Sequence, residues 1–349
     1  MSKTTWQMLR TNLASVLLAL TLVFIAGVSD LPYVRSESGS TYEATGALND
    51  VPLLSIEDSN AYPTFKSSGK VLILTVSTWG GPYGRLTWFD AMRTFFDSDV
   101  VIVPTSFLFD PQESGEDIAD QGAQLFLSAE SNAIAAAMQY LKFPVEKRLI
   151  VGSIFDDTPA VDKFKLGDVL LSLNGKKLSD FQTITEIMKN VRAGESVTYT
   201  LIRGDETIDV TSTTVQSEDR TIVGIGILEQ TIPPMDIKVQ LPDVSGPSAG
   251  LAFAVSIVEL LDSRDFTQSR IIAMTGEITA QGEVKAIGGL DHKINGAYES
   301  GARLMLFPKE NCNAVPKSVP SDMRLVPVES LEQALKVLLK GKSARYPSC

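Results

Sequence analysis

The stretch DVSGPSAGLAFAV, residues 243–255, limits this chain more than any other. Behind Gly246 and Pro247 comes a hydroxyl, Ser248, and behind that an apolar run: Leu251, Ala252, Val255, Ile257, Val258, Leu260 and Leu261. A helix that is apolar all round is a buried one. Glycine and serine are good helix starters, and proline is favoured at the first helical position. GPSAG is therefore by itself a well-formed helix N-terminus. The same place suits a nucleophile, because free backbone N–H groups and the positive end of the helix dipole converge there and would stabilise an oxyanion. A serine also needs a base, and the local stretch supplies none. The base has to come from elsewhere in the chain.

The chain has 349 residues, room for two or three domains, with 44% apolar and 21% charged residues. A net charge of −11 argues against nucleic acid as a partner, since phosphate binding needs a basic face. Lys3 and Arg10 precede Leu13–Val28, an uncharged and mostly apolar run that is shorter than the ~20 residues of a comfortable span. It reads as a signal peptide or a signal anchor. The cleavage pattern is weak, and Trp6 and Tyr33 flank the run as interface residues would. The expectation is an uncleaved single-pass anchor in the cell membrane, with the N-terminus in the cytoplasm and the body of the chain on the extracytoplasmic side. Cys312 and Cys349 could pair and pin the tail, or the tail could be loose. With His292 the only histidine and the cysteines far apart, no metal site and no cofactor are expected. There is no GxxxxGK[ST] phosphate loop.

Residues 35–67 are polar and read as a connector with short strands. GKVLILTVSTW (69–79) has the density of a buried strand, and GGPYGRL (80–86) is a turn cluster. WFDAMRTFF (88–96) has helical spacing, with Phe89, Met92 and Phe96 on one face. A long Ala-rich amphipathic helix over 122–141 carries Glu130 and Asn132 on its exposed side. From 148 to 215, short strands, an Asn-Gly hairpin turn and one helix over 181–191 make a small barrel-like module. Strands then lead into the GPSAG helix, followed by IIAMTGEI, a glycine turn IGGL, the helix DHKINGAYESG, the strand RLMLFP and a last helix over 330–341.

Four of these stretches together resemble the proteolytic domain of the Lon-type serine–lysine peptidases. GPSAG at 246–250 is similar to the nucleophile loop. MTGEITAQGEVKAIGGLDHK at 274–293 is similar to the segment that delivers the catalytic lysine, which falls 45 residues after Ser248. LFPKEN (306–311) resembles the strand that follows, and residues 69–88 resemble the first strand pair. LGDVLLSLNG (166–175) resembles a PDZ domain. The whole arrangement resembles the bacterial membrane-anchored Lon-like peptidases with an inserted PDZ domain. That resemblance implies an α/β (α+β) Lon-type proteolytic domain, split by a β-rich PDZ domain, behind an N-terminal transmembrane helix. The implied divisions are 1–30 cytoplasmic tip and anchor, 31–66 connector, 67–147 first proteolytic part, 148–218 PDZ domain and 219–349 second proteolytic part. Ser245 stands where Lon peptidases often have an acid, and His292 where they often have Glu. The ATPase module of Lon is absent from the resemblance.

The resemblance implies Ser248 as nucleophile, Lys293 as general base and Thr275 as the residue orienting the amine. The oxyanion hole would use backbone N–H groups around Gly246–Ser248. Lysine is a base only when neutral, so its pKa near 10.4 must fall by roughly three units, with burial as the cause. Leu290 and Ala297 lie at helical spacing from Lys293 and would give its stem an apolar face. His292 is the rival base, but adjacent helical residues point about 100° apart, so only one of the two can readily face Ser248. The function implied is ATP-independent serine endopeptidase action on unfolded or loose-tailed extracytoplasmic proteins. The PDZ domain would bind peptide beside its helix or gate the site. Its carboxylate loop would precede Leu149, where FPVEKRL lacks the glycine-rich form. A latent or degenerate peptidase acting as a peptide-binding adaptor, or one that only processes itself, is the competing expectation. Partners are protein or peptide substrates and the membrane. The resemblance also implies a homo-oligomer, with a hexameric ring as one form.

Overall fold

The computed structural model describes residues 3–57, 59–94, 99–110, 114–217, 220–241, 244–340 and 345–349, and the side chains of all these except 3–12 and 93. It has two compact units, Met1–Tyr140 with Ile237–Cys349, and Leu141–Asp236. The helices are α1 (Lys3–Val28), α2 (Trp88–Thr94), α3 (Gly115–Leu141), α4 (Phe181–Met188), α5 (Gly250–Leu261), α6 (Leu290–Glu299) and α7 (Leu331–Leu339). The main strands are β1 (Tyr33–Glu43), β2 (Lys70–Gly80), β3 (Val101–Pro104), β4 (Glu146–Ile154), β5 (Val169–Leu173), β6 (Ser196–Arg203), β7 (Glu206–Thr213), β8 (Ile225–Ile232), β9 (Ile271–Met274), β10 (Leu304–Pro308) and β11 (Arg324–Val328).

The first unit is built on a sheet of order β11-β10-β9-β2-β1-β3. Its centre is parallel: Ile272 of β9 lies between Val71 of β2 and Leu304 of β10. Val71, Leu72, Ile73 and Leu74 are all buried, as a strand covered on both faces requires. Leu72, Leu74, Ala273, Met305 and Phe307 pack on Leu290, Ile294 and Ala297 of α6. The alternate side chains, Val71, Ile73, Ile272, Met274 and Leu306, are equally buried and face the other way, where α5 packs. In α5 every residue from Gly250 to Glu259 is buried, which is what its all-round apolar pattern demands.

Three expectations change here. Among the described residues no helix is long and apolar enough to cross a membrane, so the transmembrane helix is not found. The apolar run 13–28 is sixteen residues, about 24 Å at helical rise, against a hydrocarbon core of about 30 Å. The polar stretch read as a connector supplies β1, which pairs with β2 from Val34 opposite Gly80 to Glu43 opposite Leu72, and with β3 on its other edge. Only Val34 in β1 is fully buried, so backbone pairing rather than an apolar alternation holds it. On α2, Phe89 and Met92 are exposed rather than core, and Phe96 lies outside the described residues.

The second unit has the order β7-β6-β5-β4-β8. Asn174 and Gly175, both at positive φ, make the hairpin turn after β5. The Asp180 carboxylate accepts the Thr183 N–H and starts α4, whose Ile184 enters a core of Leu149, Val151, Leu173, Tyr199 and Leu201. A buried Asp168 receives two hydrogen bonds from Arg203, at 2.8 and 2.6 Å. In the first unit, Cys312 and Cys349 are joined by a disulfide with Cα atoms 5.5 Å apart, so the tail is pinned.

Candidate active site

Ser248 sits in the turn that ends where α5 begins. Its carbonyl accepts the Gly276 N–H at 2.8 Å and the Thr275 hydroxyl at 3.2 Å, which ties the turn to the residues just beyond β9. Its own hydroxyl is half-buried and makes no hydrogen bond among the described residues. The hydroxyl therefore does not cap α5, whose N-cap is Ala249, without a side-chain bond.

Lys293 lies on α6 and is 3% exposed. Leu290 and Ala297, expected on its flank, are both buried. Its Nζ donates to Thr275 Oγ1 at 3.2 Å. Burial lowers its pKa from the usual 10.5 to about 8, so an appreciable fraction is neutral near physiological pH. Thr275 is fully buried and bridges the site: its oxygen accepts from the Lys293 amine while its proton goes to the Ser248 carbonyl. The fold thus brings Ser248, Thr275 and Lys293 together. His292 is also buried, but it is the neighbouring lysine that reaches Thr275; the His292 carbonyl accepts from Ser38 Oγ of β1 at 2.7 Å.

Of the N–H groups expected to stabilise an oxyanion, one is engaged within the fold. The Gly246 N–H donates to the carbonyl of Gly122 on α3 at 2.9 Å, and Pro247 has no N–H to offer. Glu130, expected on an exposed face, is half-buried; burial pushes its carboxyl pKa up, and the nearby Val239 N–H works against that rise. Nothing in a reading of local patterns pointed to Gly122, beyond the oddity of a glycine inside an Ala-rich helix. A cavity of about 430 Å³ lies at the opposite ends of the strands, among Arg270, Arg303, Asp322, Arg324 and Tyr346. Arg270 there is bonded to the carbonyls of Phe266, Thr267 and Leu338, and Arg303 to Asp322, so these side chains hold the fold together.

Comparison with known proteins fits this geometry. The profile of the Lon protease (S16) C-terminal proteolytic domain matches residues 196–341, and that of the PDZ domain matches residues 132–214. A Lon proteolytic domain and a PDZ domain are therefore found in this chain. The two matches overlap at 196–214, residues whose strands β6 and β7 belong to the sheet of the second unit. The Lon protease of Buchnera aphidicola (subspecies Schizaphis graminum) is 35% identical over 155 residues, which is 42% of this chain and 19% of that protein. Lon protease 2 of Herpetosiphon aurantiacus is 38% identical over 120 residues, 32% of this chain and 14% of the relative. The chain thus spans less than a fifth of these relatives' length. Among solved structures, the PDZ domain of an SdrC-like protein from Listeria monocytogenes is 21% identical over 23% of this chain and 86% of that one, with a TM-score of 0.22.

In the second unit, β4, which follows the expected carboxylate loop, is paired on both edges, by β5 and by β8. The open edge beside it belongs to β8. Ile225 and Ile227 of β8 pack on the same core as Ile184, Ile187 and Met188 around α4.

Proposed function

We propose that this chain is a serine endopeptidase in which Ser248 attacks the peptide carbonyl and Lys293 is the general base. The observation that carries the reading is the buried Lys293 amine, its pKa lowered by burial to about 8 and its nitrogen bonded to Thr275, which is bonded in turn to the carbonyl of Ser248. The neutral amine takes the Ser248 proton as the hydroxyl oxygen bonds to the carbonyl carbon. The resulting ammonium then returns the proton to the leaving amine, and water repeats the cycle on the acyl-enzyme. Hydrolysis runs without ATP, which cleavage in the absence of nucleotide tests directly. Unfolded or loose-tailed proteins are the substrates that need no unfoldase.

The PDZ unit binds an extended peptide by strand addition on the edge strand β8, whose Ile225 and Ile227 share a core with α4. The body works in an extracytoplasmic, oxidising compartment, which the Cys312–Cys349 disulfide supports. The chain functions as a homo-oligomer; exposed Trp79, Trp88 and Phe107 supply apolar surface for subunit contacts.

The test is cleavage of an unfolded protein from pH 6 to 10 without ATP, with Ser248→Ala, Lys293→Ala and His292→Ala alongside. About a tenth of Lys293 is neutral at pH 7 and about nine-tenths at pH 9, so activity rises close to tenfold over that range. Loss in the first two variants and survival in the third is expected. A wild type as silent as Ser248→Ala, even with added peptide tails, would favour a peptide-binding adaptor instead.

A further inference from the structure

One face of α3 runs along the parts that carry the nucleophile. Gly122, Phe126 and Glu130 recur every four residues and so share that face. The Gly122 carbonyl accepts the Gly246 N–H at 2.9 Å. Phe126 meets Phe253 of α5 edge-on, with ring centroids 6.1 Å apart. The Glu130 carboxyl lies near the Val239 N–H on the strand that leads towards the loop. Two successive turns thus hold the loop carrying the nucleophile and the helix after it.

The first of these contacts bears on the chemistry. Pro247 has no N–H, so the nearest donor upstream of Ser248 is Gly246. That donor is committed to Gly122. The fit is also tight: a Cβ at Gly122 would lie 2.8 Å from Ser245 Cβ, so the helix approaches the loop this closely only because residue 122 is glycine. On the other side the loop is open. Gly246 has φ +87°, and nothing lies within 4 Å of where a Cβ would stand, which leaves room for its peptide to turn.

We propose that Gly122 is a positioning residue for the nucleophile loop. Its carbonyl withholds the Gly246 N–H from the site, and full catalytic competence requires that this hydrogen bond break, so that Gly246 joins the Ser248 N–H as a second oxyanion donor. The proposal rests on the serine–lysine reading. It goes further by naming the contact that sets how many donors the site can offer.

The experiment uses the full chain and a fluorogenic peptide substrate. Gly122→Ala keeps the helix, since alanine is the better helix former, but its methyl drives Ser245 away and breaks the Gly122–Gly246 bond. One oxyanion donor is worth about 10²- to 10³-fold in kcat, so even partial release raises kcat about tenfold or more, with KM within about twofold. Hydrogen exchange at the 244–250 segment quickens in parallel. Ser245→Gly added to Gly122→Ala removes the clash and returns both kcat and exchange to wild type, which a general loosening of α3 would not do. The proposal is overturned if Gly122→Ala leaves kcat unchanged or lowers it, or if the gain persists in the double variant. The Ser248→Ala control in each background separates the two claims. If it hydrolyses as well as its parent, the serine–lysine reading itself has failed.

Discussion

Lys293→Met should inactivate the chain and at the same time stabilise it. A fall in the lysine pKa from 10.5 to about 8 on burial corresponds to ~3 kcal/mol of disfavour for the folded chain wherever the amine is charged. The unfolded chain, with its ordinary pKa, holds the extra proton between about pH 8 and 10.5. Wild-type stability therefore rises with pH across that window and is flat on this account below and above it. Methionine fills a similar volume without a charge. The variant should be more stable by up to ~3 kcal/mol at pH 7, and the advantage should close as pH approaches 10.5. Urea unfolding followed by tryptophan fluorescence reads this selectively, because Trp6, Trp79 and Trp88 all belong to the unit that holds Lys293. Equal stabilities at pH 7, or a difference that does not change from pH 7 to 10.5, would refute the claim that the fold keeps this amine ready to be neutral.

Three further outcomes test the surrounding structure. Arg203→Met strands the Asp168 carboxylate, whose side chain is 1% exposed, and should destabilise the second unit by about 3–5 kcal/mol in circular-dichroism unfolding. Adding Asp168→Asn should recover part of that loss. Glu259 on α5 is buried, and burial pushes its pKa up despite hydrogen bonds from Phe266 N and Thr267 Oγ1. Wild-type stability should fall as pH rises from the ordinary carboxylate value through the raised one, and Glu259→Gln should abolish that fall in a fluorescence-monitored series from pH 4 to 8. Cys349→Ser opens a loop of 37 residues' separation and should cost about 4 kcal/mol on the chain-entropy account, read as a lowered thermal midpoint that reductant reproduces in wild type.

The parts of the fold that depend on side-chain pattern were legible in the sequence. The apolar run of α5, the buried strand β2, and the Leu290–Lys293–Ala297 face of α6 are written in residue type and spacing. Burial then follows, and with it the lowered lysine pKa. What pattern could not show is whatever depends on backbone pairing. YVRSESGSTYE has almost no apolar alternation, yet it becomes β1 because β2 and β3 satisfy its N–H and C=O groups on both edges. For the same reason, no local pattern shows which strand of the second unit lies at an edge: β8, some 75 residues later in the chain, occupies the outer edge of β4. A strand's free edge is a property of the sheet, and no stretch of sequence carries it alone.

The candidate site divides along the same line. Ser248 stood out at a helix N-terminus, and Thr275 and Lys293 through the resemblance carried by residues 274–293, because a hydroxyl or an amine is visible as a letter. The Gly122 contact was not, because its working group is a carbonyl that every residue possesses. Its only trace is the absence of a Cβ in a helix that otherwise favours alanine. That absence disfavours the helix by about 1 kcal/mol, and the structure accounts for it: at 2.8 Å from Ser245, no larger residue lets α3 reach the loop. Catalytic groups are thus visible one residue at a time, whereas the backbone donors they depend on are set by which distant segment claims them first. In this chain that segment is α3, whose Gly122 carbonyl holds the Gly246 N–H.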